Sequence, residues 1–199
     1  IYKVNEKGGT PKRLLAAYGS MASVSPNGKF IAFVKGVCKI AREDYKGSAQ
    51  RDIWIYNIQT QEYTKITTSQ KNDHSPVWDD ANNLYFISAE SGRYNIYRQA
   101  ISNTAQPSGS PLKLTEQKKD GVQTFSVSAN GTVVYTVGVD TYMIKNGKSS
   151  KLILSIPSDT RFDPEKLTTT GKDMRNFAIS PDGKKVVFEV DGEIFVKLK

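Results

Sequence analysis

The 199 residues contain one cysteine, Cys38, and one histidine, His74. A single thiol excludes an internal disulfide, and a single imidazole excludes a multi-histidine metal centre. No stretch approaches the ~20 consecutive apolar residues of a membrane-spanning helix. The opening Ile1-Tyr-Lys-Val4 has no charged-then-apolar leader pattern, so the residues alone leave the compartment open. No window of roughly ten residues keeps the 3.6-residue apolar period of a helix, which excludes helical repeats. A Gly-rich phosphate loop, a Gly-x-Ser-x-Gly nucleophile elbow and a His-Glu-x-x-His metal helix are all missing.

Charge of one sign is in excess, with a net +8 and a pI near 9.4. The lysines are scattered through turns, as at Lys118-Lys119, Lys145, Lys148, Lys151 and Lys184-Lys185, and no basic run is interleaved with stacking aromatics. Such a distribution reads as a solvated surface that keeps turns soluble, not as a nucleic-acid interface.

What the sequence does have is short β-branched and aromatic runs separated by turn residues. The stretch Phe177-Ala-Ile-Ser-Pro-Asp-Gly-Lys-Lys-Val-Val-Phe188 occurs earlier as Ala22-Ser-Val-Ser-Pro-Asn-Gly-Lys-Phe-Ile-Ala-Phe33, and more loosely twice between. Each copy reads as a β-hairpin: proline fixes φ near roughly −65°, Asp or Asn bonds its own backbone, and glycine accepts a positive φ. Asn146-Gly147 signals a further hairpin. Taking Ser25, Trp78, Ser128 and Ser180 as equivalent turn positions gives spacings of 53, 50 and 52 residues. A period near ~50 with four short strands per unit predicts an all-β chain of β-propeller blades, each of four antiparallel strands. The expected division is about three full blades plus two partial ones. Residues 1–15 form a partial blade, 19–67, 73–115 and 121–155 form full ones, 156–172 form a connector, and 173–199 start a further blade. Residues 36–51 lack period-two alternation and read as a loop insertion, and residues 102–111 read as an elongated hairpin loop before a last strand at 112–115.

The motif Ser180-Pro181-Asp182-Gly183-Lys184, followed by Val186-Val187-Phe188, resembles the bacterial and archaeal propeller repeats of TolB, of prolyl-oligopeptidase-type propellers and of tricorn protease. The closer resemblance is to tricorn-like serine peptidases, carried by Asp52-Ile-Trp-Ile-Tyr-Asn57 with its preceding insertion and by Lys166-Leu-Thr-Thr-Thr-Gly-Lys-Asp-Met-Arg-Asn-Phe177. Trp78-Asp79-Asp80-Ala81-Asn82 and Ala129 depart from the Ser-Pro-Asp-Gly pattern, although Asp and Asn still favour a turn. The resemblance implies a non-catalytic propeller portion of a larger peptidase that gates or docks peptide substrates, its partners being a protein or peptide and the remaining blades and catalytic domain of the parent chain. The alternative it leaves open is a TolB-like periplasmic protein-binding module without an attached enzyme. The compartment stays open, with a periplasmic or otherwise extracytoplasmic setting favoured, and no cofactor is called for.

The sequence offers few candidate site residues. Loops carried on a rigid scaffold commonly hold function. Arg42, Asp44 and Tyr45 in the insertion are therefore the expected partner-contact residues, with a purely solvated loop as the equal alternative. Asp73-His74-Ser75 places three triad-type residues side by side, but neighbours on a strand point to opposite faces, and His74 is expected to pack or to bond a turn carbonyl. Asp79 with Asp80 and Asp159 with Asp163 lack the ligand spacing of a calcium loop. Asn130-Gly131-Thr132 reads as turn chemistry, Cys38 as a small apolar filler, and the strand aromatics as packing between blades.

Overall fold

A computed structural model describes residues 1–155, 174–190 and 192–198, which form two compact units, Ile1–Leu154 and Ser155–Lys199. The connector expected at 156–172 lies outside the described residues. All regular elements among the described residues are strands.

The first unit opens with a short ladder of β1 (Tyr2–Lys3) and β2 (Lys12–Arg13). Three four-stranded antiparallel sheets follow, each a meander of consecutive strands. The first contains β3 (Ser20–Val24), β4 (Phe30–Lys35), β5 (Asp52–Asn57) and β6 (Tyr63–Lys65). The second contains β7 (Asp73–Trp78), β8 (Asn83–Ser88), β9 (Asn95–Ile101) and β10 (Pro107–Lys113). The third contains β11 (Thr124–Val127), β12 (Val133–Val137), β13 (Asp140–Lys145) and β14 (Lys148–Leu152). In the second unit β15 (Met174–Ile179), β16 (Lys185–Val190) and β17 (Glu193–Leu198) form a three-stranded sheet. These are the blades of a β-propeller. Strand β7 touches β3, β4 and β5 on one side and β11 on the other, which makes the first strand of each sheet in this first unit the innermost.

Side chains alternate across a strand, so a strand sandwiched between two sheets must be apolar on both faces. Strand β4 shows this directly. Phe30, Ala32 and Val34 enter a layer shared with Ile53, Ile55, Trp78, Leu84 and Phe86, while Ile31 and Phe33 enter a second layer with Leu15 and Tyr56. Strand β8 repeats the division, its Tyr85 and Ile87 packing with Tyr94, Ile96, Val133 and Tyr135. The aromatic residues pack within and between blades as expected. Phe30 stacks near Trp78 at 6.4 Å, and Phe86 lies 5.9 Å from Tyr97.

Two local devices recur around the innermost strand. At its start the ladder slips, between Ser20 and Ser23, between His74 and Val77, and between Arg175 and Phe177. At each slip a non-glycine residue has a left-handed backbone: Met21 at φ 52°, Ser75 at 56° and Asn176 at 44°. Each is a β-bulge, which bends and twists the strand where it enters the sheet. Four residues on comes the hairpin turn. The Ser25 hydroxyl donates to Asn27 Oδ1 at 2.8 Å and accepts from the Phe30 amide at 3.0 Å. Ser128 with Asn130 and Ser180 with Asp182 repeat the hydroxyl-to-Asx bond at 2.6 and 2.5 Å. In the second sheet one residue replaces the pair, because Asp79 accepts from the amides of Ala81 and Asn83 at 3.0 and 2.8 Å.

That geometry corrects the expected register by one residue. The equivalent of Ser25 is Asp79, not Trp78; Trp78 is buried, and its indole N–H donates to the Ser23 carbonyl at 3.2 Å, tying neighbouring innermost strands together. A second correction concerns 102–111. Strand β10 already begins at Pro107 and includes a bulge between Ser108 and Leu112, so half of the expected loop is strand. An edge strand tolerates its prolines because one side of it has no ladder to complete.

Candidate functional site

Residues 36–51 leave the first sheet between β4 and β5 as an ordered insertion. Gly36 starts it at φ 120°, and a side chain there would collide with the Gln50 carbonyl, so the close approach of the two ends requires glycine. The amides of Val37 and Cys38 both donate to the Ala49 carbonyl, at 3.1 and 2.8 Å, closing the base.

The insertion is held from the next blade. Asn72 is fully buried; its Oδ1 accepts from the Arg51 amide at 3.0 Å, and its Nδ2 donates to the Arg42 carbonyl at 2.6 Å and faces Cys38 Sγ at 3.4 Å. The Tyr94 hydroxyl donates to the Ile40 carbonyl at 2.6 Å, and burial pushes that phenol well above its ordinary range. Arg51 Nε donates to the Cys38 carbonyl at 2.5 Å. Cys38 is thus a buried filler at the base of the loop.

The three expected contact residues lie together at one recess of this loop. The Arg42 guanidinium sits 4.6 Å over the Tyr45 ring, and Lys71 Nζ lies 2.5 Å from Asp44 Oδ1 and holds that exposed carboxyl below its usual range. With Ala41, Glu43 and Arg93 they surround a shallow recess of about 390 Å³.

On the inner side a larger cleft of about 570 Å³ opens between the insertion, the turn before β9 and the segment 119–123. Its walls include Ile40, Glu43, His74, Arg93, Tyr94 and Lys119. His74 is only 2% exposed. Its Nδ1 lies 2.9 Å from Ser75 Oγ, and its ring stands edge-on to Tyr94 at 4.7 Å. The Nε2 atom has no hydrogen-bond partner. Burial, with the Arg51 charge second, lowers the imidazole pKa to about 4, so the ring is neutral near pH 7. His74 packs as expected, but it bonds its neighbour's hydroxyl and not a turn carbonyl. Glu43 Oε2 accepts no hydrogen bond but is ion-paired with the Arg93 guanidinium 3.6 Å away. Beside His74 the fully buried Asp73 is pushed up to about 6 by burial, against the hydroxyls of Ser88, Thr67 and Ser69, which pull it down.

Sequence reasoning missed Glu43, Asn72, Arg93 and Tyr94. Only the charge of the insertion pointed to Glu43, and nothing local marks Asn72 or Tyr94. Asp79 uses both carboxylate oxygens on Asn83, Ala81 and the Tyr85 hydroxyl, which accounts for it as a turn residue. Asn130 likewise accepts from Ser128 Oγ and the Thr132 amide. Asp159 and Asp163 lie outside the described residues.

Comparison with known proteins follows the fold. The chain has the fold of a crystal structure of tricorn protease, with TM-score 0.58 and 15% identity over 98% of this chain and 24% of that one. It also matches a putative TolB from Agrobacterium tumefaciens at TM-score 0.57 and 19% identity, over 76% of this chain and 55% of that one. A Mycobacterium tuberculosis puromycin-hydrolyzing peptidase gives 0.55 and 16%, over 94% and 30%. The chain therefore spans about a quarter of the tricorn protease chain and about half of the TolB chain. No curated protein sequence matches it. The family described as the tricorn protease N-terminal beta propeller domain matches residues 1–150, three quarters of the sequence, and the chain belongs to that family.

Proposed function

We propose that this chain is a non-catalytic β-propeller portion of a larger tricorn-like serine peptidase, and that it docks or gates peptide substrates on the face carrying the 36–51 insertion. The observation that carries this reading is the insertion itself, pinned by Asn72, Tyr94 and Arg51 so that Arg42, Asp44 and Tyr45 line one recess and Glu43 borders both that recess and the larger cleft. An ordered loop on a rigid sheet scaffold offers a contact surface without the entropy cost of ordering a free one. Arg42 and Tyr45 bring a stacked cation and aromatic face, a pairing suited to peptide backbone and side-chain contacts. An extracytoplasmic setting goes with this reading.

The test is peptide binding by the chain with mass-spectrometric inspection of the peptide. Binding that weakens when Arg42 and Tyr45 are both changed to Ala, with the peptide left intact, supports it; hydrolysis that disappears with His74→Gln overturns it. A second reading, a protein-binding module of the TolB kind with no enzyme attached, is supported by the likeness to TolB over most of the chain. The residues encoded after Lys199 separate the two, a PDZ module and peptidase domain favouring the first and a stop after one further blade the second.

A further inference from the structure

The sequence has three Asn-Gly pairs, Asn27-Gly28, Asn130-Gly131 and Asn146-Gly147, and in each the asparagine is exposed at a turn. Their hydrogen bonds set them apart. Asn27 Oδ1 accepts from Ser25 Oγ at 2.8 Å and from the Lys29 amide at 3.0 Å, and its Nδ2 donates to Asn82 Oδ1 at 3.3 Å. Asn130 Oδ1 accepts from Ser128 Oγ at 2.6 Å and from the Thr132 amide at 3.2 Å. In both turns the glycine amide is also engaged, Gly28 donating to the Ser25 carbonyl and Gly131 to that of Ser128, each at 2.9 Å. Among the described residues neither the Asn146 side chain nor the Gly147 amide has a hydrogen-bond partner. This turn is two residues long, closed by Lys145 opposite Lys148, with Asn146 at φ 51° and Gly147 at φ 73°. A tight hairpin needs that left-handed pair, and asparagine is strained in it. The space around Gly147 is open. The hairpin joins β13 to the outer strand β14, whose first four residues are exposed, and an edge of that kind frays at low cost.

We infer that Asn146 is a site of spontaneous covalent modification, deamidation through a cyclic imide, and that it converts ahead of Asn27 and Asn130. When the hairpin tip frays, the Gly147 nitrogen attacks Asn146 Cγ. A bond forms between those two atoms, the Cγ–Nδ2 bond breaks, and Nδ2 leaves as ammonia with the proton that the Gly147 nitrogen gives up. Water then opens the imide at either carbonyl. Opening on the side-chain side of the ring restores the backbone as aspartate, and opening on the other leaves isoaspartate, in which the chain runs through the side-chain carbon. No electrons are gained or lost, and water is the co-reactant. Isoaspartate lengthens the backbone by a methylene, so a two-residue turn no longer fits the pairing of Lys145 with Lys148. Strand β14 then loses its register, and with it the contact between the Tyr135 and Ser149 hydroxyls and the ion pair of Lys151 with Asp140. The buried layer of Val133, Tyr135 and Ile144 lies on the other strands and is kept. Either product also places a carboxylate between two lysines.

The test is to age the full chain in mildly alkaline buffer, once folded and once unfolded in guanidinium chloride, and to weigh its chymotryptic peptides over time. Cleavage after aromatic residues leaves the three Asn-Gly pairs in separate peptides. Unfolded, the three sites should convert at similar rates. In the folded chain Asn146 should become the acid at least about tenfold faster than either other site, the scale of the two carboxamide hydrogen bonds that Asn27 and Asn130 must first break. Ser128→Ala, an exposed change that removes one of those bonds from Asn130, should speed conversion at Asn130 and leave Asn146 as it was. The aged chain should lose amide-exchange protection in β14 and keep it in β12. Equal rates at the three sites of the folded chain, an order led by Asn27 or Asn130, or an unconverted Asn146 under conditions that convert the unfolded chain would overturn the inference. So would an Asn130 rate indifferent to Ser128→Ala.

Discussion

At the scale of single residues the account turns on buried polar groups whose neighbours decide their charge. Asp73 and His74 are adjacent, buried, and displaced in opposite directions, to about 6 and about 4. Histidine that folds neutral adds stability above its unfolded pKa, near 6.5, and loses it as pH falls through about 4. An aspartate whose folded pKa is raised does the reverse. Its contribution is complete below 3.8 and is lost as pH rises through about 6. Each contribution has a span of about 3 kcal/mol, and over roughly pH 4 to 6 they oppose each other. Urea unfolding followed across that range should therefore show His74→Gln gaining stability relative to the unaltered chain as pH falls, and Asp73→Asn losing it. Parallel pH curves for all three proteins would contradict the assignment. Asn72 gives a second test. Its replacement by Ala leaves the Arg51 amide and the Arg42 carbonyl without partners and should cost about 2–3 kcal/mol, with faster tryptic cleavage at Lys39, Arg42 and Lys46. Lys71→Ala, which removes an ion pair to an exposed Asp44, should shift the unfolding midpoint far less than Asn72→Ala does.

At the scale of elements, the turn after the first strand of each sheet and the bulges in β3, β7 and β15 are the repeating parts. Met21 holds a left-handed backbone without being glycine. Met21→Val, β-branched at that φ, should destabilise by about 1–2 kcal/mol, whereas Met21→Gly should be neutral or slightly stabilising; equal losses from both in denaturant titrations would mean that the side chain and not the backbone matters. How far these elements could be read in the sequence depends on how local their causes are. The Ser-Pro-Asn-Gly and Ser-Pro-Asp-Gly hairpins were legible because side chain and backbone bond within a few residues. The second sheet is displaced by one residue because no serine marks its turn: Asp79 stands where Ser25, Ser128 and Ser180 stand in the other sheets, its own carboxylate accepting from the Ala81 and Asn83 amides. Strand β10 was hidden by Pro107-Ser-Gly-Ser-Pro111, a loop composition that an outer edge accepts. The bulges left no residue-type signature, since Met, Ser and Asn share only a backbone angle.

For the whole molecule, the propeller fold was legible from a ~50-residue period, but the cleft was not, because its walls come from residues as far apart as Ile40 and Gly138 and meet only once the blades pack. The two units differ sharply in burial. The first has three apolar layers, whereas in the second Val190 is the one buried residue among those described and Phe177, Ile179, Ile194 and Val196 are exposed. Unfolding of this chain should accordingly have two stages, with amide exchange protection lost in 174–198 at lower denaturant than in β4, β5, β8 and β9; a single cooperative transition reported equally by both units would contradict that. The central claim, that the chain docks peptides on its insertion face without cleaving them, is tested most directly by recording amide spectra of the full chain with a mixture of short peptides and then weighing the peptides. The account predicts shifts concentrated in residues 39–48 and around Tyr94, with every peptide mass unchanged. Cleaved peptides whose production requires His74, or shifts that avoid the insertion altogether, would contradict it.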